Sequence, residues 1–316
     1  MDFTNLWTEI KAAQTIIICR HIHPDPDALG SQGGLATLLS QAFPDKRVLC
    51  FGSMSKDLQY LNQMDRVKEE DFQDALLITT DTANLDRLDG KDFLPLAKKV
   101  LKIDHHPNED HYADEEWVDT KASSTSEIIY DFYHQFKEEL TLTPKVAYLL
   151  YAGIVGDTGR FLFNNTTSHT FEVVSELVKQ PFDVAKLNRQ FIEKERKVLK
   201  LEGYLLDHFT CTEEGVGYFY ITNELIEQFG LEHEDTASCV GLMGNAKEVK
   251  VWVLFLEKKA HPGNYRCRLR SKELPIVEVA KAHEGGGHPL ASGANAYSLE
   301  ETEAIIEELK AVVKEK

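Results

Sequence analysis

Thr15-Ile16-Ile17-Ile18-Cys19-Arg20-His21-Ile22-His23-Pro24-Asp25-Pro26-Asp27 is the stretch from which the fold is read. Its first five residues form a short apolar, β-branched run, the pattern of a buried strand. The polar segment His21-x-x-x-Asp25-x-Asp27 follows at once, and a helical pattern begins near 28 and runs to 39. Further strand-like runs occupy 47–51, 75–80 and 99–103. Asp81 follows the third of these strands and Asp104-His105-His106 the fourth. Strands separated by helices or loops predict an α/β domain, a parallel sheet with helices on both faces. Ligands of such sheets bind beyond the carboxyl ends of the strands, which is where these acidic and imidazole groups fall.

From 123 onward the periodicity turns helical. A Ser/Thr cluster suited to capping opens a helix over 124–136, and 145–154 runs into Gly156-Asp157. Helices at 168–179 and 182–191 follow, then the charged stretch Glu193-Lys194-Glu195-Arg196-Lys197, a candidate linking helix. Strand-like runs return at 216–221, 249–256 and 265–271 and end with 276–282, ahead of a terminal helix near 300–313. The expected division is a catalytic metal-binding domain at 1–188, a linker at 189–206 and a smaller α/β domain with a central mixed sheet at 207–316. The apolar residues of 145–154 suit either the core or a homodimer face.

Composition narrows the function. At 316 residues the chain fits two domains, and 42% apolar residues can build a proper core. A formal charge of −17 argues against coating long nucleic acid, which needs a broad basic face. The five cysteines are widely spaced with no Cys-x-x-Cys, a reduced pattern. There is no basic, apolar leader at Met1 and no window of 18 apolar residues, so a cytoplasmic location without membrane association is expected.

Asp25, Asp27, Asp81 and Asp157, brought together, would raise one another's pKa and could not all stay ionised. Two divalent cations cancel that −4 charge. Such a pair activates water, holds a phosphoryl group and neutralises the leaving oxygen. Oxygen and imidazole ligands without thiolate suit Mn²⁺, Mg²⁺ or similar ions. His21 and Asp25 are assigned to one metal and Asp27, His105 and Asp157 to the other. Asp81 is the bridge, and His106 faces the scissile phosphate. Taken singly, Asp25 and Asp27 between prolines also suit a plain turn, and Asp81 after a strand also suits an N-cap. His23 points away from His21 if the segment is extended. His111, His134, His169, His208, His233 and His261 are expected at the surface without acidic partners.

A second element lies near the C-terminus. Glu284-Gly285-Gly286-Gly287-His288 reads as a glycine-rich loop whose backbone amides could cradle an anion. Arg266, Arg268 and Arg270 alternate along a strand and so share one face. Together they suggest a phosphate receptor.

These motifs resemble the DHH phosphoesterase family, in the subgroup that joins a DHH domain to a DHH-associated C-terminal domain. The first motif stands as His21-x-x-x-Asp25-x-Asp27-Ala28-Leu29-Gly30-Ser31, the second as Asp81, and the third as Asp104-His105-His106-Pro107. The fourth is Gly156-Asp157-Thr158-Gly159-Arg160-Phe161, and Gly285-Gly286-Gly287-His288 is the C-terminal signature. Ser123-Ser124-Thr125-Ser126-Glu127 resembles the family's helix start near the site. The match is nearest to bacterial oligoribonucleases of nano-RNase type. The resemblance implies Mn²⁺ as cofactor, with Mg²⁺ or Co²⁺ as substitutes. As substrates it implies two- to five-residue oligoribonucleotides and 3′-phosphoadenosine 5′-phosphate (pAp). It also implies that Arg270, Ser271, Gly286, Gly287 and His288 grip the substrate across an interdomain cleft. Soluble relatives that cleave cyclic-di-AMP or pApA share this layout, and a non-catalytic nucleotide-binding module is a distant alternative.

Overall fold

The computed structural model describes residues 1–54, 56–108 and 110–315, which fall into two compact units, Met1–Ile192 and Glu193–Lys316. In the first, helix α1 (Thr4–Ala12) precedes strand β1 (Thr15–Cys19), helix α2 (Pro26–Ala42) and strand β2 (Arg47–Cys50). Strands β3 (Leu76–Thr80), β4 (Lys99–Asp104) and β5 (Glu115–Val118) complete a five-stranded sheet in the order β2-β1-β3-β4-β5. Every pair in it is parallel. Four helices follow: α3 (Thr125–Gln135), α4 (Pro144–Asp157), α5 (Ser168–Leu177) and α6 (Val184–Gln190).

The alternation of β1 divides the core. Ile16 and Ile18 join the large cluster with Leu6, Leu29, Ile128 and Leu150 of the α-helices. Ile17 and Cys19 face the other way, onto Phe72, Leu77 and Leu88, a side covered by short 3₁₀ helices such as Glu69–Phe72 and Lys91–Leu96. Helices therefore cover both faces, but the long ones lie on one side. Helix α4 buries Val146, Ala147 and Leu149 through Val155, so these apolar residues belong to the core.

The second unit carries helix α7 (Arg196–His208), strands β6 (Thr210–Cys211) and β7 (Val216–Ile221), and helix α8 (Asn223–Phe229). It continues with β8 (Val251–Lys258), β9 (His261–Ser271), helix α9 (Val277–Ala282), β10 (Gly286–His288), β11 (Ala291–Ala296) and helix α10 (Leu299–Lys314). The sheet order is β10-β11-β9-β8-β7-β6, with β7 and β8 parallel and the other pairs antiparallel. Val253 and Phe255 of β8 pack under α9 and α10, and Trp252 and Leu254 pack under α7 and α8.

Two expectations are corrected here. The run 276–282 is helical from Val277, because it lies against the sheet as α9 with Val279 and Ala280 buried. The glycine-rich stretch is no open loop: Gly286–His288 pairs antiparallel with Ala291, Ser292 and Gly293 as the arm of a hairpin. Gly285 packs so closely on this hairpin that an added Cβ would stand 2.0 Å from the Gly293 carbonyl oxygen.

Candidate metal centre

Each group in the first unit is delivered by the end of an element. After β1 the chain turns, and Asp25 becomes the N-cap of α2, its Oδ1 accepting the amides of Asp27 and Ala28 at 3.0 Å each. Pro26 suits the first helical position because that residue's amide would have no intrahelical partner. The turn-former and ligand readings of Asp25 thus coexist, since Oδ2 remains directed at His21 Nε2, 3.6 Å away. His21 Nδ1 lies 2.8 Å from the Ile22 carbonyl, which can only accept. That contact places the proton on Nδ1 and leaves the Nε2 lone pair for a cation. His23 is exposed in a left-handed turn (φ 53°) and stands outside the cluster.

Asp27, in the first turn of α2, reaches the start of α3. Its Oδ2 accepts the Thr125 amide at 2.7 Å and its Oδ1 the Ser126 amide at 2.9 Å, so a carboxylate sits on the positive end of a helix. Ser124 caps the same helix by accepting the Glu127 amide. Close approach of α2 and α4 makes the convergence possible. A Cβ on Gly153 would stand 2.0 Å from Ser126 Oγ and 2.6 Å from Asp27 Oδ1, so any larger residue there must displace these side chains.

Asp81 follows β3 in a left-handed backbone conformation (φ 53°), a strained state for a non-glycine residue of the kind that clusters at functional sites. It caps no α-helix. Its carboxylate faces His21 Nε2 at 3.4 Å, His105 Nε2 at 3.7 Å and His106 Nδ1 at 3.6 Å, and accepts from Thr125 Oγ1 at 3.2 Å. Asp157, the last residue of α4, places Oδ2 3.1 Å from His105 Nε2.

Asp104 plays a different part. Its buried Oδ1 accepts the amides of His105 and His106 and contacts the His106 ring at Nδ1, 2.8 Å away. It therefore holds the backbone of both histidines and the ring of His106 instead of joining the cluster. Buried Lys102, 3.8 Å from Asp104 Oδ2, supplies the countercharge. Neither role was assigned from sequence, although a lysine alternating with apolar residues inside a buried strand was a signal.

Among the described residues, three groups bring ligand atoms within 4.8 Å of one another and could each hold a metal ion: His21, Asp25 and Asp81; Asp27, His105 and Asp157; and Asp81, His105 and His106. The electrostatics fit a cation. Burial, then Asp81, pushes the Asp27 carboxyl up, and burial with Asp27, Asp81 and Asp25 pushes Asp157 up. Burial works against a charged His21, but Asp25 and Asp81 outweigh it and lift the ring to about 10. Burial would raise Asp25 too, but His21 holds it well below the usual carboxylate range. His105 Nε2 is buried without a hydrogen-bond partner among the described residues, despite its nearness to Asp157. Carboxylates forced toward protonation around an orphaned imidazole nitrogen are relieved by bound divalent ions.

The comparisons agree with this geometry. Residues 15–154 match the DHH family, N-terminal domain, and residues 215–315 match the DHHA1 domain. The chain belongs to the DHH family of phosphoesterases. It is 48% identical to a Streptococcus mutans protein named "Probable bifunctional oligoribonuclease and PAP phosphatase NrnA", over 99% of both chains. It is 42% identical to the Bacillus subtilis protein "Bifunctional oligoribonuclease and PAP phosphatase NrnA", again over 99% of both. The fold matches the crystal structure of an exopolyphosphatase-related protein from Bacteroides fragilis, with TM-score 0.89, 23% identity and coverage of 98% and 97%. DHH phosphoesterases are metal-dependent, and this DHH chain has acidic and histidine groups that could bind the metal. Among its described residues no helix is long and apolar enough to cross a membrane.

In the DHHA1 unit, Arg266, Arg268 and Arg270 share one face of β9, opposite Leu256, Leu254 and Trp252 of β8, while Tyr265, Cys267 and Leu269 turn into the core. Burial and the neighbouring guanidinium hold Arg268 and Arg270 below the usual arginine pKa, as expected of cations crowded on one strand face. Arg270 donates to the Leu269 carbonyl at 2.8 Å. Ser271 has the opposite parity, and its Oγ accepts the Leu274 amide at 2.8 Å, so it closes a turn instead of accompanying the arginines. His288 is exposed on β10.

Among the histidines expected to lack one, His111, His169 and His208 do have acidic partners, Glu116 at 2.7 Å, Asp131 at 2.9 Å and the adjacent Asp207 at 3.6 Å. Glu116 reaches His111 from a neighbouring strand and Asp131 reaches His169 from another helix, pairings that sequence spacing does not show. All three histidines lie at the surface.

Proposed function

We propose that this chain is a Mn²⁺-dependent phosphodiesterase and phosphatase of the cytoplasm that degrades oligoribonucleotides of two to five residues to mononucleotides and removes a phosphate from pAp. The observation that carries the reading is Asp81: one buried carboxylate belongs both to the group with His21 and Asp25 and to the group with His105 and His106. An acid so shared is suited to bridging two ions, and two ions suit phosphoryl transfer. The substrate class rests on the relatives, which are 48% and 42% identical and carry that activity in their names.

In this reading His21 and Asp25 hold one ion, and Asp27, His105 and Asp157 the other. When bound, the ions supply Lewis-acid polarisation and a water of lowered pKa. The protein supplies the rest. The helix α3 amides fix Asp27, and the Ile22 carbonyl fixes the His21 tautomer. Asp104 orients the His106 ring, which is placed to contact the scissile phosphoryl group or to give a proton to its leaving oxygen. The arginine face of β9, with Gly286, Gly287 and His288 of the hairpin, binds another phosphate of the substrate. Ser271 serves by holding the end of β9 in place.

Initial-rate hydrolysis in Mn²⁺ with a chelator control tests this on pAp, pApA, five-residue and 24-residue RNA, cyclic-di-AMP and pyrophosphate. The reading requires fast cleavage of the short RNAs and pAp with little on the 24-residue RNA. Activity confined to cyclic-di-AMP or pApA would move the function to second-messenger turnover, and none on any substrate would leave a binding module.

A further inference from the structure

Arg87 stands at the rim of the cluster. Its segment is strapped to the one that carries His21: the Ile22 amide donates to the Arg87 carbonyl at 2.7 Å, Asp89 N donates to the Arg20 carbonyl at 2.9 Å, and His21 and Leu88 form an isolated antiparallel bridge. Asn84 fixes the turn from the other side, its side chain accepting the Arg87 amide at 3.2 Å. Main-chain bonds therefore set the position of Arg87 relative to His21.

The side chain follows. Arg87 Nη2 lies 3.4 Å from His21 Nδ1. Nδ1 already carries the proton it donates to the Ile22 carbonyl, so it cannot accept from the guanidinium, and the two donors merely lie side by side. Among the described residues no carboxylate comes within ion-pair distance of Arg87, whereas Arg20 is paired with Asp89 and Arg47 with Asp71. The residue is exposed. An arginine strapped beside a group that could hold a metal, with its fork unmatched and open to solvent, has the chemistry of an anion receptor.

The charge balance calls for one. Asp25, Asp27, Asp81 and Asp157 bring −4, which two divalent ions cancel, whereas a phosphate monoester adds about −2 at neutral pH. We propose that the Arg87 guanidinium binds non-bridging oxygens of the phosphoryl group presented at the His21 side of the cluster, supplying the cation that the ions leave wanting. This rests on the phosphoesterase reading above. It makes Arg87 a residue that touches substrate, and it adds to the recognition done by the arginines of β9.

Arg87→Ala and Arg87→Lys, compared with the wild-type full chain, test it by two readouts. Calorimetric titration with Mn²⁺, then with inorganic phosphate on the Mn²⁺-loaded protein, separates metal holding from anion holding. Hydrolysis of short oligoribonucleotides and pAp gives the rate. The expected result for Arg87→Ala is unchanged Mn²⁺ binding, phosphate affinity weakened about 10–100-fold and a similar loss in kcat/KM. Activity should return in part on adding guanidinium at millimolar concentration, and Arg87→Lys should lie between alanine and wild type. Phosphate affinity and rate both unchanged would overturn the proposal. So would weaker Mn²⁺ binding in step with the activity loss, which would make Arg87 a support for His21. A wild-type protein that hydrolyses none of the substrates would sink the phosphoesterase reading, while the phosphate titration still decides the role of Arg87.

Discussion

Asp27 accepts the backbone amide of Thr125 at 2.7 Å across 98 positions of sequence, so a residue of the first motif closes the N-terminus of a helix in the middle of the chain. The group that helps to compose the centre also ties α2 to α3. Asp27→Ala should therefore cost stability even in a chelator, by about 1–2 kcal/mol, because two charge-assisted bonds are lost while repulsion with Asp81 is relieved. Urea denaturation with EDTA measures it. An unchanged midpoint would mean the helix end is satisfied by water.

Gly153→Ala should disable the enzyme more than it destabilises the fold. Its Cβ would meet Ser126 Oγ and Asp27 Oδ1, pushing α4 from α2 by tenths of an ångström and displacing Asp27. Overpacking of this kind costs about 1–3 kcal/mol, and a small shift in a positioned group costs rate heavily. We expect a folded protein with activity reduced at least tenfold. Wild-type kcat would show that the contact relaxes without moving the carboxylate.

Much of this was legible in the sequence, for identifiable reasons. The run Thr15–Cys19 is rich in β-branched residues and buried on both faces, which marks a central parallel strand, and β3 and β4 beyond it place acids at their carboxyl ends. Strand β5 escaped because Glu115-Glu116-Trp117-Val118 is an edge strand, half-buried and charged, with no alternation to betray it. Helix α1 escaped as well, although Leu6, Trp7 and Ile10 lie at helical spacing. The glycine stretch 285–287 reads as a loop until β11 pairs with it, since strand identity in glycine comes from the partner. Arg87 could not be linked to His21 from sequence, because the link is an isolated bridge between loops.

Lys102→Met should be severe. The Lys102 ammonium is fully buried, donates to the Ala83 carbonyl and Asn108 Oδ1 at 3.1 Å each, and stands 4.7 Å over the Tyr112 ring. Removing it leaves Asp104 buried without its countercharge, a loss of about 3–5 kcal/mol. Thermal unfolding measures the cost, and Lys102→Met with Asp104→Asn should recover part of it. Failure of the pair to recover any would separate the two residues energetically.

His169 gives a pH-dependent contribution with a definite sign. Burial works against its charge, but Asp131 at 2.9 Å outweighs that and raises its pKa above 6.5. A raised folded pKa means the contribution is full below the unfolded value and fades as pH climbs through the folded one. The pair is half-exposed, so its worth is at most about 1 kcal/mol and shrinks in salt. The Tm gap between wild type and His169→Gln should be largest near pH 6 and close in alkaline buffer. A gap that widens with pH would contradict the pairing.

Asp81 as the acid shared between two ions is the claim on which the rest stands. Anomalous diffraction from crystals of the full chain grown with Mn²⁺, recorded at the manganese edge, tests it directly. The account predicts two peaks about 3.5–4 Å apart, with Asp81 between them, His21 and Asp25 on one side and Asp27, His105 and Asp157 on the other. A single peak, or two that leave Asp81 on only one ion, would contradict it.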